Sequence, residues 1–267
     1  MKKFYFILAA SAMILAACSG NKKAAQEETP APAESFEAQQ IKAGMNVRLD
    51  SLTNAFNRIK PFDFITKSED GSIALTAEEK KVKPDYLMNP AELANQLDNL
   101  SMKYRACAIY QQDQVIAKAY EMEDVYAEPL AKLVVEVNDP AQKYVIEHAK
   151  DADVKEQAYK IAEESGRANY HWQAVASGII ESLYIINQNQ EKFLASFTDK
   201  DAEDVTFQVV LLVEAYAELA EYDPELKNIY NVIMPLQVID AITVDQLREQ
   251  LNSLKDDIAN ARAALFL

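Results

Sequence analysis

The stretch Tyr170-His171-Trp172-Gln173-Ala174-Val175-Ala176-Ser177-Gly178-Ile179-Ile180-Glu181-Ser182-Leu183-Tyr184-Ile185-Ile186 decides the fold. At about 100° per residue, Trp172, Val175, Ile179, Leu183, Ile186 and, further on, Phe193 fall on one side of a helix predicted from Tyr170 to Phe197. Ala174, Ser177, Gly178, Glu181 and Ile185 line the other side. Small residues there let a second backbone approach closely, so the spacing predicts a central helix packed on both faces. Glu181 then lies in a crowded place and needs a partner, for which Arg105, Arg167 or a tyrosine are the candidates.

Outward from this helix the same periodicity recurs. Phe36, Ile41, Met45, Leu49, Leu52, Phe56 and Ile59 step by helical intervals and stop at Pro61, which gives a first helix over 36–60, either part of the body or a separate arm. Asp70-Gly71 between two short apolar runs gives a short hairpin or an ordered loop near 62–76. Asn89-Pro90 opens a second helical run by cap and first-turn proline, Pro129 begins or kinks the next, and Asp139-Pro140 starts one that ends near Gly166. Asp201 to Tyr222 follows, closed by Asp223-Pro224. From Thr243 a last helix carries Leu247, Leu251, Leu254, Ile258, Ala261 and Leu265 in alternating steps of four and three. The expectation is an all-α, multi-helix bundle of seven or eight amphipathic helices over residues 36–267.

Composition removes whole classes of function. Five glycines stand where average usage of about 7% would place some 19, and none are spaced to build a phosphate-cradling loop. Two cysteines allow no C-x-x-C pair, and neither H-E-x-x-H nor the Glu-x-x-His pair of di-iron bundles occurs. His148 and His171 read as polar residues at helix flanks, so the sequence predicts no metal and no cofactor. A formal charge of −15 argues against a nucleic-acid partner.

The N-terminus predicts where the chain resides. Lys2 and Lys3 precede an apolar run from Phe4 to Ala17 that is too short to span a bilayer as a mature helix and ends in Leu15-Ala16-Ala17-Cys18. It resembles a bacterial lipoprotein signal. The resemblance implies that residues 1–17 are removed and that Cys18 is lipidated on its sulfur and its new amine, so that the membrane is a partner through the anchor. Losing Lys2 and Lys3 moves the charge to about −17. Residues 18–35 hold no large apolar side chain before Glu34 and read as a disordered tether, with a typical span of about 22 Å. No aspartate follows Cys18, which by resemblance to lipoprotein sorting implies the outer membrane, facing the periplasm or, with the same anchor, the cell surface. Cys107 is then the remaining thiol and reads as a small core residue.

Candidate site residues come from carboxylates inside apolar stripes. Met102, Ala106, Ile109, Ile116 and Tyr120 form one stripe, and Asp113 falls within it. Such a carboxylate is hydrogen-bonded, paired or protonated. Asp113 either caps a local break after Gln111-Gln112 or bonds a tyrosine hydroxyl, or else it contacts a ligand or senses pH. Tyr110, Asp113, Glu181 and Tyr184 are therefore the candidate ligand-contact or buried polar residues. Glu214, Glu218 and Glu221, opposite Val209, Leu212, Tyr216 and Leu219, read as a solvated face.

Val82-Lys83-Pro84-Asp85-Tyr86-Leu87, Ile109-Tyr110-Gln111-Gln112-Asp113, Leu130-Ala131-Lys132-Leu133, Ser177 to Tyr184 and Val209 to Leu219 resemble a group of wholly helical lipoproteins of Bacteroidetes over roughly residues 82–255. The group would have a glycine and an alanine before Asp113 and an aromatic before Glu181. Here Gln111, Gln112 and Ile180 stand there. The resemblance implies fold and location, and carries no activity. The function expected is a lipid-anchored cell-envelope module that binds a partner protein or a small ligand. The alternatives are a hydrolase using Asp113 and Glu181 as a carboxylate pair, and a purely structural envelope protein.

Overall fold

The computed structural model describes residues 36–57, 75–148 and 153–267. The signal, the tether, Cys18 and the hairpin or loop near 62–76, up to residue 74, lie outside the described residues. Within those residues the chain forms twelve α-helices and no strand. They are α1 Phe36–Phe56, α2 Pro90–Leu93, α3 Leu100–Ala119, α4 Ala127–Val137, α5 Pro140–Glu147, α6 Val154–Glu164, α7 Ala168–Gln188, α8 Gln190–Phe193, α9 Asp199–Tyr222, α10 Pro224–Ile233, α11 Val244–Ser253 and α12 Lys255–Ala264. The fold is an all-α bundle, with more helices than the seven or eight expected because several predicted runs divide.

The divisions have local causes. Asn99 accepts from the Met102 amide and so starts α3 afresh, separating it from α2, whose own cap is Asn89 accepting from Ala91. The predicted Tyr170–Phe197 run ends at Gln188, where Asn189 leaves the helical conformation and caps α8 by accepting from the Lys192 amide. Near the C-terminus the run divides at Leu254, where the Gln250 carbonyl accepts both the Leu254 amide and the Ser253 hydroxyl, a side-chain bond that bends a helix. All six apolar residues of that predicted stripe, Leu247 to Leu265, are nonetheless buried. Gly166, with φ of 70°, supplies the left-handed turn between α6 and α7 that a side chain would strain.

Helix α7 is the hub, packed against α1, α3, α6, α9 and α12. Its two buried faces carry Trp172, Ile179, Leu183 and Ile186 on one side and Ser177, Glu181 and Ile185 on the other. Met45 and Leu49 of α1 join the same core, and the Trp172 ring meets Phe56 edge-on while its Nε1 donates to Thr53 Oγ1 at 3.0 Å. A smaller cluster of Ala141, Ala158 and Ala162 packs α5 on α6. On the outer face of α9, Glu218 pairs with Arg48 of α1 at 2.6 Å, so part of the predicted solvated face clamps the first helix.

Helices α3 and α7 run parallel with a constant offset. Arg105 meets Gln173, and Asp113 meets Glu181, each pair 68 positions apart. Eight residues of helix place these two polar rungs about 12 Å apart along the axis.

Candidate functional site

Asp113 and Glu181 are both fully shut off from solvent, at 0% exposure. The two helices bring their carboxyls within hydrogen-bonding reach of each other. Arg262 of α12 closes the third side. Its Nε donates to Glu181 Oε2 at 2.6 Å and its Nη2 to Oε1 at 2.8 Å, a two-pronged pairing of planar fork and carboxylate. The guanidinium carbon lies 4.1 Å from the centroid of the Tyr184 ring, which gives the cation a π-face where it leaves the carboxylate.

The fourth side is backbone. Met88, in the irregular segment before α2, donates its amide to Asp113 Oδ2 at 2.8 Å, and its carbonyl accepts from the Tyr126 hydroxyl at 2.9 Å. Among the described residues no group donates to Asp113 Oδ1. Burial, first, and then the Glu181 charge and the hydrogen bond shared with Glu181 push Asp113 well above the ordinary aspartate range; Arg262 and the Met88 amide pull the other way without reversing it. The site thus holds two carboxyl groups against one guanidinium.

The expected partners of Glu181 are engaged elsewhere. Arg167 sits at the start of α7, fourteen residues and about 21 Å along the axis from Glu181, and donates to the Tyr104 hydroxyl and the Val137 carbonyl. Arg105 belongs to the other rung, where its Nη1 donates to Gln173 Oε1 at 2.8 Å. Nor does Asp113 cap a break, because α3 runs unbroken through it. Arg262 was missed by sequence reasoning. It stands four residues after Ile258, at the edge of the buried stripe, and that placement was the available signal.

The Arg105 rung has the opposite character. Arg105 is buried, its Nε lacks a partner, and the Gln173 Nε2 and Tyr216 hydroxyl beside it lack one too. Burial holds the guanidinium below its ordinary value. Gly178 lies between the rungs. A Cβ added there would meet only Gln112 Nε2, at 3.7 Å, which is ordinary contact, so the close backbone approach expected at this glycine is not what occupies the site.

Tyr110, one turn before Asp113, faces a groove. Its ring packs on Tyr126 at 5.8 Å, its hydroxyl has no partner, and burial pushes it up to about 12. The groove has a volume of about 100 Å³ and is lined by Tyr110, by Pro90 and Leu97 from the α2 side, by Leu133 of α4, and by Lys103 and Lys132. Both lysines are drawn toward Glu136, Lys103 at 2.7 Å.

Cys107 is a buried free thiol that burial pushes up to about 12, the state of an inert core residue. His148 stacks on Tyr144 and His171 meets Tyr159 edge-on. Among the described residues no three His, Cys, Asp or Glu side chains gather in a way that could hold a metal ion, and no helix is long and apolar enough to cross a membrane. Compared with protein-family models, with curated proteins and with solved structures, the chain matches none.

Proposed function

We propose that this protein is a lipid-anchored module of the cell envelope, tethered through Cys18 to the outer membrane, that binds a small ligand in the groove between α2, α3 and α4. The observation that carries this reading is the contrast between the two places where polar groups converge. The Asp113–Glu181 pair is sealed and held by Arg262, whereas the groove beside Tyr110 opens to solvent between mixed polar and apolar walls, with Lys103 and Lys132 gathered about Glu136 at its rim and the buried, unpartnered Tyr110 hydroxyl close behind its lining. A volume of about 100 Å³ falls well under the roughly 300–1,000 Å³ that encloses drug-sized molecules. The occupant is therefore small and partly polar, or is a single side chain projecting from an envelope partner.

The test is a thermal-shift panel of small carboxylates and amides against the wild-type chain and Tyr110→Phe, which keeps the ring and removes the hydroxyl. Compounds that raise Tm for the wild type and lose that effect in the variant support the reading. A panel without any shift, or shifts that Tyr110→Phe leaves intact, overturns it. Labelling of intact cells with a radioactive fatty acid, with Cys18→Ala as the control, tests the anchor.

The adjacency of Asp113 and Glu181 favours a second reading, a hydrolase using the pair as acid and base, since retaining glycosidases hold two carboxyl groups about 5 Å apart. Against it stand the complete burial of both carboxyls and the engagement of both Glu181 oxygens by Arg262. Hydrolysis of aryl glycosides that disappears in Glu181→Gln would reverse this preference.

A further inference from the structure

We propose that Asp113 carries a proton at neutral pH and donates it from Oδ1 to Glu181, and that this shared proton latches the Met88 segment, and with it the α2 wall of the groove, onto the bundle. Three observations lead to it. Both carboxyls are fully buried and within reach of each other, so two charges there would repel at short range without water between them. Among the described residues one cation, Arg262, touches the pair, and both its contacts go to Glu181. Oδ1 of Asp113 has no donor. A proton placed on Oδ1 answers all three, because it removes one charge, turns the orphan acceptor into a donor, and leaves Oδ2 free to accept from Met88.

The groups that face Asp113 from every side agree with this assignment. Glu181 approaches from α7 and Arg262 from α12. Tyr86 comes from the segment before α2, Tyr110 from α3 itself, and Tyr126 from the turn before α4. The tyrosines are raised by burial and stay neutral at physiological pH, so none adds a further negative charge beside the pair.

The latch reaches the groove through the backbone. Met88 is clamped by Asp113 at its amide and by Tyr126 at its carbonyl. The next residue, Asn89, caps α2, whose first residue Pro90 lines the groove, and Tyr110 lines it from the helix that carries Asp113. Loss of the proton would put two negative charges beside one guanidinium and loosen the segment that forms this wall. The link to ligand binding rests on the groove being the binding site; the proton itself does not.

An acid whose folded-state pKa lies above its unfolded value is held more tightly by the folded chain. Its contribution is fully present below the unfolded value of about 4, is lost as pH rises toward the folded value, and stays lost above it. Asp113→Asn reproduces the protonated acid, because the amide nitrogen donates to Glu181 and the amide oxygen accepts from Met88.

The experiment measures urea midpoints and hydrogen exchange of the peptide containing Met88 on the full folded chain from pH 5 to pH 9, corrected for base-catalysed intrinsic exchange, in wild type and Asp113→Asn. The proposal expects the wild type to lose stability and Met88 protection as pH rises, and the variant to hold both flat and to be the more stable at pH 9. A carboxylic-acid infrared band at neutral pH, absent in Asp113→Asn, marks the same proton. Parallel pH profiles in the two proteins, or absence of that band, overturn it. Neither readout needs a ligand, so a failed thermal-shift panel refutes the groove and leaves the latch standing.

Discussion

Arg262 grips both oxygens of Glu181 across 81 residues of chain, at 2.6 and 2.8 Å. This contact ties the C-terminal helix to the hub of the bundle through a charge that water does not reach. Breaking a buried pair from one side costs about 3–5 kcal/mol, because the remaining charge has no compensation. Arg262→Met should therefore lose about that much in urea denaturation, and Glu181→Met in the same chain should restore most of it. A double variant no better than the single one would place the energy in α12 packing instead.

Arg105 should behave otherwise. Its guanidinium is buried beside Gln173 and Tyr216 with a partnerless Nε, and Asp223 and Glu225 act on it without forming an ion pair, so removing it relieves desolvation while leaving Gln173 Oε1 without its donor. Arg105→Met is expected to cost on the order of 1 kcal/mol or less, or to stabilise. A loss as large as that of Arg262→Met in the same denaturation series would mean that a counter-charge reaches Arg105.

Gly178 sits in the interior of α7 with room for a methyl group. Gly178→Ala should stabilise by about 0.5–1 kcal/mol, the difference between the two residues in a helix. The urea midpoint decides it, and a fall would show that Gln112 cannot yield.

At the acid end Glu79 governs a different slope. The Thr76 backbone amide and then Lys192 hold its carboxyl down at about 2, from an ordinary 4.5. Because the folded value is the lower one, its contribution is present above about 4.5 and is lost as pH falls toward about 2. Glu79→Gln should flatten the wild-type loss of helical circular dichroism over that interval and leave the alkaline side unchanged. Identical acid profiles would remove Glu79 from this role.

The helical character of the bundle was legible because each α7 stripe obeys the 3.6-residue period, and Asp113 and Glu181 stood out as carboxylates placed where apolar side chains belong. Their meeting was not legible. A helical wheel gives the face of one helix and says nothing of which helix lies against it, so the parallel offset of α3 and α7 had no signature in either stretch. Arg262 escaped because a long side chain at a stripe's edge reads equally well as solvated. Met88 escaped for a plainer reason, since a backbone N–H has no side chain to announce it. The splitting of predicted runs turned on Asn99, Asn189 and Ser253, short polar residues whose bonds to backbone overrule periodicity over a few positions.

Trp172 is the chain's one tryptophan, and its indole is buried between α1 and α7, bonded to Thr53 and edged by Phe56. Its emission is therefore an optical gauge of a single joint. Undocking of α1 would wet this ring and shift its fluorescence to the red, while the thirteen tyrosines stay silent under excitation at the red edge of the indole band, where phenols do not absorb. The protein is in this sense already labelled, with one lamp at the seam where its N-terminal helix meets its hub.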